Sequence, residues 1–169
     1  MLEREARTYA ELERLGIPYE KFDHEALFTI EAAEELDKRL GMEICKNLFL
    51  YSKNKAGEKE YYLLVLRGHK KFRTGPVSKE LGIPRLSFAG EEPMLEFLDI
   101  TPGSVSPLGL MNDKGHKVQL LVDSDVLADE KVAVHPCVNT ATVVIRGEAL
   151  WKVAVPAWGH SVRVVTVAE

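Results

Sequence analysis

The sequence of 169 residues is 46% apolar, 28% charged and 8% aromatic, and its formal charge is −4. This length and composition predict one globular domain over residues 1–169 and exclude fibrous, collagen-like and disordered chains. The negative charge argues against non-specific coating of nucleic acid, because that mode of binding needs many Lys and Arg side chains to neutralise phosphates.

The first half of the chain is predicted to hold two helices, a short strand and a hairpin. Apolar residues at helical spacing indicate helices over residues 2–15 and from the capping residue Thr29 to Gly41. A short strand is predicted between them, over 19–24. Apolar, aromatic-rich runs over 47–51 and 61–66 flank a polar segment, which favours a hairpin.

Shorter elements are predicted in the second half. Two prolines and a glycine break the segment Thr101–Pro107, which indicates a shaped loop. Residues 108–111 and 118–122 flank a polar turn and are predicted to form a second hairpin. The remaining predictions are short helices over 78–81 and 93–98 and strands over 86–88, 132–135, 142–145 and 162–167.

Taken together, these elements alternate without a regular strand–helix–strand rhythm. We therefore predict an α+β fold, with a mixed and largely antiparallel sheet flanked by helices.

Targeting and cofactor signals are missing from the sequence. The N-terminus has no apolar signal region, and no run approaches the ~18 apolar residues of a membrane span, so we predict a cytoplasmic protein without a membrane partner. Cys45 and Cys137 lack the spacing of a disulfide framework or a zinc site. Phosphate-loop, dinucleotide, metalloprotease and serine-hydrolase motifs are also missing, so no metal or cofactor is expected.

Three features could carry chemistry, although each has a more ordinary interpretation. Lys46 opens a strand that looks buried, where a cation is costly unless it faces a polar cavity; an exposed strand start is the alternative. His135 precedes Pro136 at a strand end and could be catalytic or structural. The loop from Gly103 to Pro107 could bring its backbone close to a ligand or be a plain turn.

Three further groups of residues leave alternatives open. Arg67, Lys70, Lys71 and Arg73, with His69 among them, could contact phosphates or form a solvated loop. Cys137 and His135 could be imagined as a nucleophilic pair, although Pro136 disfavours the geometry. Trp151 and Trp158 are interpreted as core residues, with an exposed interface anchor as the alternative.

Four ordered blocks of the sequence resemble one family, the YbaK-like aminoacyl-tRNA editing domains. The similarity is strongest to the stand-alone prolyl-tRNA editing branch, which is related to the insertion domain of bacterial prolyl-tRNA synthetase. It extends from about Leu12 to Ile145. The blocks are Cys45-Lys46-Asn47-Leu48-Phe49-Leu50, then Arg85-Leu86-Ser87-Phe88-Ala89, then Pro102-Gly103-Ser104-Val105-Ser106-Pro107-Leu108-Gly109-Leu110-Met111-Asn112-Asp113, then His135-Pro136 followed by Asn139-Thr140-Ala141-Thr142.

This resemblance implies a sheet partly closed like a barrel, with a pocket for the 3′-terminal adenosine of tRNA and its amino acid. It implies catalytic positions at Lys46, His135 and Gly103. The implied substrate-binding positions are Ser104, Val105, Ser106, Pro107, Asn47, Phe22, Phe28 and Thr29.

The implied activity is hydrolysis of mischarged tRNA(Pro), with Ala-tRNA(Pro) as the expected substrate and Cys-tRNA(Pro) as the second choice. Water would attack the ester with help from the 2′-hydroxyl of the substrate. The expected partner is the acceptor end of tRNA(Pro), with prolyl-tRNA synthetase as a further candidate and DNA excluded. A non-catalytic module that holds a tRNA end or a small metabolite is the alternative from another functional class.

Overall fold

The structure, a computed structural model, describes residues 1–27 and 29–169. Its helices are α1 (Glu3–Arg14), α2 (Ile30–Leu40), α3 (Thr74–Leu81), α4 (Glu91–Pro93), α5 (Ser124–Leu127), α6 (Gly147–Ala149) and α7 (Val155–Ala157). A π-helical turn over Met94–Leu98 follows α4, another over Leu150–Ala154 joins α6 to α7, and a 3-10 helix spans Pro107–Asn112. The strands are β1 (Tyr19–Asp23), β2 (Lys46–Lys53), β3 (Lys59–Leu66), β4 (Ser87–Phe88), β5 (Val118–Asp123), β6 (Lys131–Val134), β7 (Ala141–Arg146) and β8 (Val162–Val165).

The strands form two sheets, in the orders β4-β2-β3-β5-β8 and β1-β7-β6. The β1–β7, β6–β7, β2–β3 and β2–β4 pairs are antiparallel, whereas β5 pairs in parallel with both β3 and β8. The predicted α+β class and the mixed, largely antiparallel pairing are confirmed. Within the described residues the strand ladders do not close into a barrel, but the Cys45 N–H donates to the Ala133 carbonyl (3.0 Å) and joins the two sheets.

Local sequence signals explain where α2 begins and ends. The Thr29 hydroxyl accepts a hydrogen bond from the Ala32 N–H (3.0 Å), as an N-cap residue should. Gly41 ends the helix with φ of 71°, a left-handed conformation that glycine adopts without strain. Glu31 in the first turn and Lys38 in the last complement the helix dipole. The predicted boundaries of this helix are therefore explained by its caps.

The predicted second hairpin is wrong. Residues 107–112 form a 3-10 helix because Pro107 cannot donate to a strand ladder and the Ser106 hydroxyl accepts the Leu108 N–H at 3.1 Å. β5 therefore has no antiparallel partner from this segment. It pairs in parallel with β3 instead, with Leu63 opposite Leu120.

Two apolar clusters cover the two faces of the five-stranded sheet. The larger contains Phe49, Leu63 and Leu120 and packs against α1 and the three-stranded sheet. The smaller contains Leu50 and Leu64 and packs against α3. Each methylene group that is buried stabilises the fold by ~0.8 kcal/mol, and the sum over these clusters is the main force that holds both sheets together.

The C-terminal tryptophans belong to the core, as their preferred interpretation predicted. Trp151 and Trp158 are only 7% and 8% exposed, so the alternative of an exposed interface anchor is wrong. The Trp158 indole N–H donates to the Glu11 carboxylate at 2.9 Å, which ties the C-terminal helices to α1.

Along residues 1–27 and 29–169, no helix is both long enough and apolar enough to cross a lipid bilayer.

Candidate functional site

A cleft of about 420 Å³ lies beside α2, where β2 begins and β6 ends. We call it the α2 cleft. Lys46 and His135 both line it, together with the acidic residues Glu34, Asp37 and Glu43. Two residues predicted from sequence as catalytic therefore lie on the wall of one hollow, although they are 89 positions apart in the chain.

Lys46 occupies the first position of β2 and is half-buried. Its ammonium donates a hydrogen bond to the backbone carbonyl of Lys70 at 2.6 Å. An ammonium group has three N–H donors, so two remain for a ligand once this bond is made. Lys46 therefore lies at the start of a strand and also faces a polar cavity, although the sequence analysis gave these two placements as alternatives.

The hydrogen bonds of His135 assign its tautomer. Its Nδ1 lies 2.9 Å from the Ala141 carbonyl, and since a carbonyl only accepts, Nδ1 carries the proton. The Nε2 atom of the neutral ring is then an acceptor. Burial lowers the pKa of His135 below its ordinary value; the Ala141 carbonyl opposes this and nearby His24 adds to it. A neutral His135 can therefore accept a hydrogen bond from water in the cleft.

His24 and Thr142 extend the site beyond the residues predicted from sequence. The His24 Nδ1 lies 2.8 Å from the Glu25 carbonyl and so carries the proton, which leaves its Nε2 to accept from the Thr142 hydroxyl at 2.9 Å. The Thr142 hydroxyl lies 3.5 Å from His135 Nδ1. Thr142 belongs to a block that resembles the family, but no sequence signal distinguished His24.

The loop from Gly103 to Pro107 does not form a wall of the α2 cleft in the described residues. It approaches the segment that follows His135: a Cβ added at Gly103 would lie 3.5 Å from the Asn139 side-chain nitrogen. Gly103 has φ of 88°, whereas Ser104 is buried and Val105 half-buried. Ser106 and Pro107 are also buried, at the start of the 3-10 helix.

The other residues predicted to bind substrate are divided among several places. Asn47 follows Lys46 on β2, so its side chain faces the opposite side of the sheet; its Oδ1 is buried and has no hydrogen-bond partner within the described chain. Phe22 pairs with Thr142 across β1 and β7. The Thr29 hydroxyl is exposed and caps α2. The prediction for Phe28 falls outside the described residues.

Three of the five residues in the basic cluster contact carboxylates within the protein, whereas Lys71 and Arg73 are exposed. Arg67 contacts Asp129 at 2.7 Å, and His69 contacts Glu43 at 3.0 Å and Glu169 at 3.2 Å. Lys70 is only 2% exposed. The prediction of a solvated loop is thus wrong for Lys70. Its ammonium contacts Asp123 and Asp125, both at 2.7 Å, so Arg67, His69 and Lys70 each have a carboxylate partner within the protein.

A cysteine nucleophile is contradicted by burial. Cys137 is fully buried, and desolvation raises the pKa of its thiol to about 11. Since the thiolate is the reactive form, this thiol is inert near neutral pH.

Comparisons with known proteins agree with the sequence resemblance. A family model described as "Aminoacyl-tRNA editing domain" matches residues 24–153. The "Prolyl-tRNA editing protein ProX" of Acetoanaerobium sticklandii is 35% identical over 156 residues, which cover 92% of this chain and 93% of that protein. The "Prolyl-tRNA synthetase associated domain-containing protein 1" of Mus musculus is 36% identical over 159 residues, covering 89% and 91%.

A solved structure shares the fold. It belongs to a protein proposed as a trans-editing enzyme for prolyl tRNA synthetase, and it superposes with a TM-score of 0.74 over 100% of this chain and 99% of that chain. The two sequences are 21% identical, so this similarity establishes the fold alone.

Proposed function

Because the chain belongs to the aminoacyl-tRNA editing domain family, we propose that it removes a wrongly attached amino acid from tRNA(Pro) and that alanine is its preferred target. The observation that carries this proposal is the shared cleft of Lys46 and His135. Two relatives named for prolyl-tRNA editing and for association with prolyl-tRNA synthetase support the choice of tRNA(Pro). The whole chain would act as one editing domain in the cytoplasm, where tRNA is charged.

Selectivity has a simple physical basis in this proposal. A synthetase pocket shaped for proline cannot reject alanine strongly, because a lost methylene or two changes binding by only ~1–3 kcal/mol. A second site corrects the error when it admits alanine and excludes the proline ring by steric overlap. The enzyme would therefore act after release of the tRNA from the synthetase, or while bound beside it.

The proposed chemistry needs positioning more than a strong nucleophile. An aminoacyl ester is already activated, so holding water and the ester carbonyl in line supplies much of the rate. Lys46 would anchor a hydroxyl or phosphate of the terminal adenosine through its two remaining N–H donors. His135 Nε2 would orient the water, and the substrate 2′-hydroxyl would assist the attack.

The 103–107 loop would stabilise the negative charge that develops on the ester oxygen. Gly103 is an exposed residue beside the segment that follows His135. Backbone N–H groups are effective donors to such an oxyanion, and the N–H of Gly103 would be the one to serve. This role requires the substrate to reach from the α2 cleft past His135 toward Asn139.

A panel of four aminoacylated tRNA(Pro) species tests the proposal. We expect rapid deacylation of Ala-tRNA(Pro), slower deacylation of the Cys and Ser species, and no deacylation of the Pro species. Single-turnover rates measured against spontaneous hydrolysis give the order. Faster release of cysteine would exchange the first and second candidates, and equal inactivity on all mischarged species would reject the enzyme in favour of a binding module.

The role of His135 predicts a pH dependence. We expect the ratio of kcat/KM between the wild type and His135→Gln to be about 10 near pH 7.5 and to fall toward 1 only at pH values below the ordinary histidine pKa of ~6.5. Protonation of Nε2 removes the hydrogen-bond acceptor. Because the pKa of His135 is lowered, this protonation occurs at a pH below ~6.5, the ordinary pKa of histidine. Because both enzymes act on the same substrate, any effect of substrate ionisation on kcat/KM is the same for both and does not change the ratio. A ratio that does not change with pH would contradict the acceptor role.

A further inference from the structure

The ammonium group of Lys70 is buried, since only 2% of this residue is exposed. It donates to the Asp123 carboxylate at 2.7 Å, to the Asp125 carboxylate at 2.7 Å and to the Val167 carbonyl at 2.8 Å. All three N–H donors are therefore satisfied within the protein. Lys70 connects the end of β5 to the segment that follows β8.

Stability alone does not explain such an arrangement. A buried ion pair is often no more stabilising than apolar residues of similar volume, because desolvation offsets the attraction between the charges. Desolvation lowers the pKa of Lys70, but Asp123 and Asp125 outweigh it and the net shift is upward, so the ammonium stays charged. What the arrangement does provide is a fixed position for the backbone of Lys70.

That backbone is in direct contact with the candidate site. The Lys70 carbonyl accepts the hydrogen bond of Lys46 Nζ at 2.6 Å. The side chain of Lys70 is thus held by β5 and the C-terminal segment, while its carbonyl holds the lysine of the α2 cleft. A flexible four-carbon side chain such as that of Lys46 needs a fixed partner of this kind to keep one geometry.

Residues 67–70 form a turn that is closed by a hydrogen bond from the Lys70 N–H to the Arg67 carbonyl at 3.1 Å. The residues of this turn that precede Lys70 are held against the segment before β2. A Cβ added at Gly68 would lie 2.6 Å from the Ile44 carbonyl oxygen, so a side chain at this position would push the two segments apart. His69 donates its backbone N–H to Glu43 at 3.1 Å. The close approach at Gly68 and the hydrogen bond of His69 therefore fix the turn before Lys70 relative to the strand that carries Lys46.

We propose that Lys70 is a positioning residue for the editing reaction, which acts through Lys46 by fixing the carbonyl that orients the Lys46 ammonium. This inference rests on the proposed function for its effect on rate. Its structural part, the immobilisation of Lys46, stands independently of any substrate.

A double-mutant cycle tests the effect on rate. Lys70→Met should lower kcat/KM for Ala-tRNA(Pro) about 10-fold in the wild type and have no further effect in Lys46→Ala, because its action requires Lys46. Lys71→Met is the matched control: it removes the same charge from the adjacent, exposed position and should change the rate less than about twofold. The proposal is overturned if Lys70→Met lowers the rate equally in both backgrounds, or in neither.

A second variant is used if Lys70→Met does not fold. Removing Lys70 leaves Asp123, which is fully buried, without its cation, and such a change can unfold the protein. Asp125→Asn then replaces Lys70→Met in the cycle, since the Asp125 side chain is 47% exposed and only one bond to Lys70 is weakened. Its loss of rate should be smaller and should again vanish in the Lys46→Ala background; a loss that persists there overturns the proposal.

A measurement without substrate separates this inference from the proposed function. In protein labelled with ¹³C-lysine, the ε-methylene resonance of Lys46, assigned with Lys46→Ala, should lie apart from those of exposed lysines. It should move toward them in Lys70→Met or Asp125→Asn and stay unchanged in Lys71→Met. If the wild type deacylates none of the panel, the proposed function fails, and this resonance alone decides the role of Lys70: an unchanged Lys46 signal in the Lys70 and Asp125 variants overturns it.

Discussion

Lys46→Ala is expected to lower kcat/KM for deacylation of Ala-tRNA(Pro) by about 100-fold, the loss typical of removing one preorganised donor from an active site. The variant removes the ammonium that lines the α2 cleft and that the Lys70 carbonyl holds at 2.6 Å. Because the proposed contact is made to the terminal nucleotide rather than to the amino acid, all accepted substrates should lose rate by a similar factor. Single-turnover kinetics with the Ala, Cys and Ser species measure this.

Lys53→Ala provides the matched control for that variant. Lys53 is exposed at the opposite end of the same strand, so its replacement changes the net charge equally and leaves the cleft intact. We expect wild-type kinetics from it. A Lys46→Ala enzyme that retains its fold and deacylates as fast as Lys53→Ala would remove Lys46 from the site.

Gly103→Val should also reduce kcat/KM, by about 10-fold or more, because a small displacement of a positioning loop is costly to the rate. Gly103 has φ of 88°, and a β-branched residue is strained in that region whatever space surrounds it. The nearest atom to an added Cβ is the Asn139 side-chain nitrogen at 3.5 Å, an ordinary contact, so the expected cause is movement of the backbone. Kinetics and thermal unfolding should be measured together.

Gly57→Val separates backbone strain from loss of the site. Gly57 lies in the turn between β2 and β3 with φ of 79°, and nothing lies within 4 Å of an added Cβ. Both variants should lose similar stability, but only Gly103→Val should lose deacylation. Equal rates in the two variants would mean that the 103–107 loop does not contact substrate.

Local signals in the sequence were sufficient for the elements that depend on local contacts. The polar turn between β2 and β3 and the caps of α2 at Thr29 and Gly41 determine those boundaries, and the structure has them. The segment after Pro107 was predicted wrongly because an apolar run of four residues does not distinguish a buried strand from a buried helical turn. There the decisive contact is the Ser106 cap.

Only part of the site could be predicted from the sequence, for a related reason. Lys46 and His135 were identified through the resemblance to the editing family, whereas composition and spacing favoured ordinary interpretations for each. Lys70 was grouped with exposed cations because its neighbours in sequence are basic. Its carboxylate partners lie 53 and 55 positions away, and no pattern within one segment reveals such a pairing.

The central claim is that the α2 cleft holds the aminoacyl end of tRNA, and a non-hydrolysable alanyl-adenosine with an amide in place of the ester probes it directly. On titration with this compound, NMR shifts should change for Lys46, His135 and Asn139, while the prolyl counterpart should leave them unchanged. Shifts confined to a surface outside the cleft, such as that around Lys53 at the opposite end of β2, or equal responses to both compounds, would contradict the claim.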